Sequence, residues 1–245
     1  MGRWIYLLFG VLAYCLFFAT FLYLIGFVAA LPQLPRSVDA PVVAGSTAAA
    51  ATIDVALIAL FGLQHSVMAR AGFKRAWTRL VPAPLERSFY LVFASLALIL
   101  LFLFWRPLPS VVWQVPGGIA AMLLWGFFGV GWLIVLLSTF LLSHFELFGL
   151  KQVWNHLRGA EAETPVLRQP LFYRLVRHPL YTGFFIAFWD TPRMTMGHAL
   201  LAAGMSVYML VGIALEERDL VRLFGADYEA YRARVGKLTP RLRRG

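Results

Sequence analysis

Cysteine and charge are both scarce in this sequence. The single cysteine, Cys15, sits inside the first apolar run, which excludes a disulfide framework and a thiolate metal site. Its setting suits a small buried or lipid-facing apolar side chain. Charged residues make up 14% of the 245 and hydrophobic ones 60%, whereas a soluble domain carries roughly a quarter charged and about half apolar. That balance excludes an ordinary soluble domain. Acidic residues are the scarcer sign, 12 against 22 Lys and Arg, for a net charge of +10. Nucleic acid is not implied, because cytoplasmic segments of membrane proteins carry an excess of Lys and Arg. No Walker loop, Rossmann glycine fingerprint, nucleophile elbow or His-Glu-x-x-His motif occurs, so hydrolysis and soluble-type nucleotide binding lack support. The five histidines have no ligand spacing, and no metal is expected.

What is present is a series of long apolar runs. A helix needs roughly 20 apolar residues to cross a bilayer. Spans are expected at Trp4–Leu31, Thr47–Met68, Glu86–Phe104 and Gly117–Leu142, followed by a shorter pair, Pro179–Thr191 and Met196–Leu215. The first run outlasts the apolar core of a secretory signal and lacks a clear cleavage site, so it reads as a retained helix. The fold expected is an all-α integral membrane protein of five to six transmembrane helices, with a C-terminal helical hairpin and an amphipathic cytoplasmic tail. It forms one membrane domain over residues 1–245: four helices in 1–142, a cytoplasmic loop in 143–178, the hairpin in 179–215 and the tail in 216–245. With both termini inside, only Arg36, Arg106 and Arg193 of the basic residues fall outside. The positive-inside rule selects that orientation, in a bacterial inner membrane. Gly159, Pro165 and Pro170 argue for irregular backbone in the 143–178 loop, and loops of that length are functional or disordered. Leu220, Leu223, Phe224 and Tyr231 give the tail an apolar side, and Arg218, Arg222 and Arg232 a basic one.

Polar residues then mark where chemistry is expected. The stretch Arg177-His178-Pro179-Leu180-Tyr181-Thr182-Gly183 opens the hairpin. Proline favours the first turn of a helix, so a helix should start at Pro179 with its free N–H groups beside Arg177. Two readings stay open: an anion receptor bordered by His178 and Tyr181, or an interfacial helix start anchored by them. Gly183 lets a ligand or another helix come close. Glu216 and Glu217 end an apolar helix at its negative pole, where acids are disfavoured. Either Arg218 and Arg222 compensate them, or a ligand with amino, hydroxyl or sulfonium groups does. Ser143-His144-Phe145-Glu146-Leu147-Phe148-Gly149 closes the fourth span as a candidate ligand mouth or an aromatic belt. In the second span Asp54 and His65 stand about 16 Å apart along one helix face, too far to bond. An intramembrane Asp54 is a functional suspect unless paired with another helix. His65, with Gln64, reaches the inner mouth as a candidate proton acceptor, and His156 is expected to be solvated in the loop.

Arg177-His178-Pro179-x-Tyr181-x-Gly183, then Glu216-Glu217-x-x-Leu220 and Gly225-x-x-Tyr228-x-x-Tyr231, resembles the isoprenylcysteine carboxyl methyltransferase and phospholipid methyltransferase superfamily. Within it, Leu60-Phe61-Gly62-Leu63-Gln64-His65-Ser66-Val67-Met68-Ala69-Arg70, Glu86-Arg87-x-x-Tyr90, Ser143 to Leu150 and Phe188-Trp189-x-Thr191-Pro192-x-Met194-Thr195 are similar to the methanethiol S-methyltransferase branch, over nearly the whole chain. The resemblance implies S-adenosyl-L-methionine as methyl donor and a small thiol, methanethiol, as acceptor. It places the cofactor among His144, Glu146, Tyr173, Arg177, His178, Pro179, Tyr181, Gly183, Glu216 and Glu217, and the thiol among Asp54, Gln64 and His65. Tyr228 and Tyr231 would help wall the site. The thiol's proton needs an acceptor: His65 is the first candidate and His144 the second, with Arg177 lowering the thiol's pKa by its charge. A lipid or prenyl-cysteine acceptor, and a non-enzymatic helper of a denitrification complex, are the alternatives.

Overall fold

A computed structural model describes residues 2–160 and 166–241. Pro165, which entered the reading of the loop, and residues 242–245 of the expected tail lie outside the described residues. Among those residues five helices are long and apolar enough to cross a membrane. The chain divides into two compact units, Met1–Val112 with Phe145–Glu163 and Met194–Gly204, and Trp113–His144 with Thr164–Arg193 and Met205–Gly245.

In the first unit, α1 (Gly2–Val28), α2 (Thr47–Ala69), the short α3 (Ala71–Trp77) and α4 (Glu86–Phe104) follow in order. Each crossing helix carries bulky apolar side chains outward, such as Trp4, Leu8, Leu63 and Phe104, which suits lipid rather than water. Ser46 caps α2 by accepting the Ala49 N–H, which sets its start. α1 lies against α4 through Phe27, whose ring centroid is 5.0 Å from that of Phe102. The end of α4 is fixed from two sides. Trp105, 1% exposed, donates through Nε1 to Val38 O at 3.1 Å, and the Arg106 N–H donates to Asp54 Oδ1 at 2.8 Å. The other oxygen of Asp54 is buried with no hydrogen-bond partner among the described residues. The helix α7 (Leu150–Arg158) returns to α1, where Val153 meets Gly10. His156 belongs to this helix and its ring stacks on Tyr6 at 4.7 Å, so it is not a solvated loop residue as expected.

In the second unit, α5 (Ile119–Leu142) crosses α8 (Pro179–Trp189) with backbones in contact. A Cβ on Gly183 would sit 2.6 Å from Gly131 O, and one on Gly131 2.7 Å from Gly183 O. Gly183 therefore admits a helix. Small residues at such crossings let two helices gain packing that lipid cannot supply. Between α5 and α7 lies one further turn, α6 (His144–Leu147).

At eleven residues α8 is only about 16 Å long, half a hydrocarbon core. It continues as extended chain through β2 (Arg193–Thr195) to α9 (Met196–Phe224). β2 pairs with β1 (Val111–Gln114), two strands the apolar runs did not announce. Buried extended backbone needs partners at membrane depth. The Val115 N–H donates to Pro192 O, Trp113 Nε1 to Thr191 O, and the Met196 and Gly197 N–H groups to Ser110 O and Leu108 O. α9 runs unbroken past Leu215, through both glutamates to Phe224, where the tail was expected to begin a separate surface helix. No breaker intervenes before Gly225, whose φ of 53° stops the helix and admits α10 (Ala226–Arg234).

Gly183→Ala should lower the melting temperature and the yield of folded protein in detergent, since overpacking against a fixed backbone costs about 1–3 kcal/mol. Gly129→Ala, on α5 where a Cβ meets nothing within 4 Å, is the control expected to melt like the wild type.

Candidate active site

Pro179 is the first residue of α8 and His178 its N-cap, as the sequence leads one to expect. The preceding arginine does not stand open. Arg177 Nε donates to Glu217 Oε1 at 2.8 Å, and Nη2 lies 2.8 Å from the same oxygen. Nη1 donates to the carbonyls of Arg232, at 3.1 Å, and Val235. A guanidinium has five N–H bonds, so these contacts leave one on Nη2. The Arg177 and Glu217 side chains are 8% and 10% exposed, and neither charge stands alone in that setting.

His178 lies between the two glutamates, with Nε2 3.1 Å from Glu217 Oε1 and Nδ1 3.9 Å from Glu216 Oε2. Glu217 is thus compensated by Arg177 and His178, forty residues away in sequence, rather than by Arg218 or Arg222; Arg222 pairs with Asp219 at 3.7 Å. Glu216 differs from its neighbour. Its side chain is 43% exposed, and Oε2 accepts the Tyr181 hydroxyl at 3.2 Å. One carboxylate is locked into the fold and the next is presented.

The tail closes against this group. The N–H groups of Arg177 and His178 donate to Gly236 O at 2.8 Å and Lys237 O at 3.1 Å, and Thr182 Oγ1 donates to Leu238 O at 2.9 Å. Val176 and Gly236 form a parallel bridge. Tyr231 donates to Tyr173 O at 2.6 Å and packs edge-on against Tyr228. The hydroxyl of Tyr228, a residue 1% exposed, has no hydrogen-bond partner among the described residues. Burial raises the pKa of all three phenols: Tyr173 and Tyr228 far above the usual tyrosine range, with Glu216 adding to the rise at Tyr173 and Glu217 at Tyr228, and Tyr231 to about 12, with Arg177 opposing. At neutral pH they are hydrogen-bond donors, and none is a base. The return of residues 236–238 onto 176–178 was missed in sequence; Gly236 and the Thr239-Pro240 turn were the available signals.

His144 is buried at the end of α5, stacked on Phe140 at 4.1 Å. Thr139 Oγ1 donates its only hydrogen to Leu136 O, so the 2.8 Å contact to His144 Nδ1 is a donation from the ring. The lone pair of the neutral ring is then on Nε2. Burial lowers the pKa of His144, which keeps the ring neutral at pH 7. Glu146 is turned outward and pairs with Lys151 at 3.2 Å.

In the first unit, His65 lies between Phe61 and Tyr90, with ring centroids at 5.2 and 4.8 Å, and Arg87 caps the Tyr90 ring at 4.8 Å. Gln64 donates to Met68 Sδ at 3.1 Å, and its buried carbonyl has no hydrogen-bond partner among the described residues. Asp54 serves the end of α4, as described above. No group of three or more metal-ligating side chains occurs among the described residues.

The chemistry of the donor set can be tested against a ligand. Two carboxylates, one of them presented, with tyrosine hydroxyls around them, suit a ligand bearing positive charge and hydroxyl groups. They do not suit a phosphate, because Arg177 is already committed to Glu217.

Residues 69–235 match a family described as "Protein of unknown function (DUF1295)". The chain is 52% identical to methanethiol S-methyltransferase 1 of Bradyrhizobium diazoefficiens, over 97% of its own length and 83% of that protein's. It is 45% identical to the methanethiol S-methyltransferase of Mycobacterium tuberculosis, over 98% of both chains. Nurim of Homo sapiens is 32% identical over 68% of this chain and 66% of its own. No solved structure matches the chain.

Arg177→Met should be the most damaging single change here. It strands a buried carboxylate, a loss of about 3–5 kcal/mol, and frees the tail; trypsin should then cut at Arg232 and Arg234 in the otherwise folded protein. Wild-type protection of both bonds in the variant would show that Arg177 does not hold the tail.

Proposed function

The chain belongs to the DUF1295 family, together with the methanethiol S-methyltransferases it matches along nearly its whole length, and from that premise we propose that it methylates a small thiol, methanethiol, with S-adenosyl-L-methionine as donor. The observation that carries the proposal is the meeting of Glu216, Glu217, His178 and Tyr181 at the start of α8. The donor set fits S-adenosylmethionine, whose sulfonium, amino and ribose hydroxyl groups call for carboxylates and hydroxyls. When bound, it would supply an activated methyl group to a thiol sulfur, leaving S-adenosylhomocysteine and, from methanethiol, dimethyl sulfide, with the thiol's proton passing to a protein base.

Each residue then has a task. Glu216 is the presented carboxylate for hydroxyl or amino groups, and Tyr181 orients it. Glu217 fixes His178 and, through Arg177, the start of the helix beside Glu216. Tyr173 and Tyr231 hold the wall through their mutual bond, and the unpartnered Tyr228 hydroxyl is a donor in reserve. Pro179 and Gly183 set the start and seating of the helix that bears the site. His144 and Glu146 are assigned to cofactor binding by the resemblance alone, and Arg177 contributes through Glu217 more than through its one remaining N–H.

A thiol with a pKa near 8.5 is mostly protonated at pH 7, so a proton acceptor is needed. His65 is the first choice, with Gln64 and Asp54 on the substrate side, and His144 the second, a neutral ring that could accept the proton on Nε2. Charge is neutralised as the methyl group moves, so exclusion of water favours the reaction.

The site lies at the inner face of a bacterial cytoplasmic membrane, with both termini inside. His178 meets Glu217, so the leg from 178 to 195, α8 plus extended chain, covers the same depth as the roughly 32 Å of α9 from Met196 to Glu217. That leg supplies the sixth crossing, and six crossings return the C-terminus to the side of the N-terminus.

Cells expressing the chain and fed methanethiol should release dimethyl sulfide into the headspace, and cells expressing Glu216→Gln almost none; no dimethyl sulfide from the wild type would reject the thiol as acceptor. Purified Glu216→Gln should keep its melting temperature yet bind S-adenosylhomocysteine at least about tenfold more weakly, the loss of one charged hydrogen bond. His65→Ala should keep that binding and lose on the order of 10²-fold in kcat. Unchanged kcat between pH 6 and 9 would transfer the base role to His144.

A further inference from the structure

The tail does more than cover α8: it curls into a hook with a basic rim. Its start is pinned by the main-chain bonds from Arg177 and His178 to Gly236 and Lys237, and its end by Arg241 Nη1, which donates to Ala233 O. The bend at Gly236 is tight enough that a Cβ there would collide with Thr239 O. Inside the hook lies a cleft of about 430 Å³ lined by Arg177, Arg232, Gly236, Lys237, Thr239 and Arg241 among others, with no acidic residue in the lining. Arg177 at its floor is neutralised by Glu217. Arg232, Lys237 and Arg241 are exposed, and no described acidic residue pairs with them. Three uncompensated cations around one concavity repel each other unless an anion joins them.

We propose that this cleft binds a phosphate group, either the headgroup of an anionic phospholipid or free inorganic phosphate. Phosphate oxygens suit several converging Lys and Arg donors, which form charge-assisted hydrogen bonds with them. The place in the chain suits a headgroup: α9 ends at Phe224, α10 follows after one residue, and α8 starts two residues beyond Arg177, so the hook sits where two membrane segments reach the surface. The site is separate from the methyl-transfer reading, since neither Glu216 nor Glu217 lines it.

The test uses the full-length protein in neutral maltoside micelles. One arm titrates inorganic phosphate by calorimetry at physiological salt. The other presents equal phosphatidylglycerol and phosphatidylcholine and weighs the retained lipid by native mass spectrometry. Wild type should bind phosphate, retain phosphatidylglycerol selectively, or both; the first alone identifies the free ion as ligand and the second alone the headgroup. Lys237→Gln, which breaks no contact among the described residues, should weaken binding about fivefold, and Lys237→Gln with Arg241→Gln more than tenfold. Arg75→Gln with Arg79→Gln removes the same charge elsewhere and should bind like the wild type. Three outcomes overturn the proposal: no binding in either arm, equal loss in both double variants, or displacement of the anion by excess S-adenosylhomocysteine. The last would assign the cleft to the cofactor's carboxylate.

Discussion

A single carboxylate oxygen, Glu217 Oε1, is the point on which this end of the protein depends. Two N–H groups of Arg177 and the Nε2 of His178 converge on it, near the end of an apolar helix where a carboxylate is poorly placed. A charge buried there stays ionised only if the rest of the fold compensates it. The compensation recruits the start of α8, and through the remaining donors of Arg177 it recruits the carbonyls that end α10. The tail then follows the same segment with its own main-chain bonds. Helix start, helix end and tail are one electrostatic unit.

The adjacent glutamates divide two tasks between them. Glu217 is nearly enclosed and its charge is spent on structure, whereas Glu216 is almost half exposed and held by one phenol. Neighbours in sequence on a helix point about 100° apart, so one faces its internal partners and the next faces outward. A ligand with positive charge meets the outward carboxylate without any rearrangement of the buried one. The membrane helices beneath support this arrangement through the glycine crossing of α5 and α8, which seats the helix that carries His178 and Tyr181.

Much of this was legible in the sequence, for identifiable reasons. The α4 boundaries, Glu86 and Phe104, and the start of α8 at Pro179 were read to the residue, because apolar runs and proline act locally. The convergence of Arg177 with Glu217 was expected only through a ligand, and the direct pair between them was not foreseen. Forty residues separate them, and a long-range ion pair leaves no local pattern. Arg218 and Arg222 looked like the nearer compensation, but beside Glu217 on the same helix they point to other sides. The helix was expected to stop at the glutamates; helical propensity carried it on to Gly225, the first residue able to end it. The extended leg of Pro192 to Thr195 and the strand that pairs with it were hidden among apolar residues, since a strand of three or four residues is too short to show a period. Asp54 was suspected of chemistry, and the structure gives it a bond to the N–H of Arg106 at the end of another helix, the alternative its position had left open.

The central claim, that Arg177 and Glu217 act as one unit, is tested most directly by a double-mutant cycle on thermal unfolding in detergent, using Arg177→Met, Glu217→Met and the pair. A buried pair with shared partners should show a coupling of roughly 1–3 kcal/mol, with the double variant more stable than Arg177→Met alone because the stranded carboxylate is gone. Additive losses, with coupling below about 0.5 kcal/mol, would contradict the account.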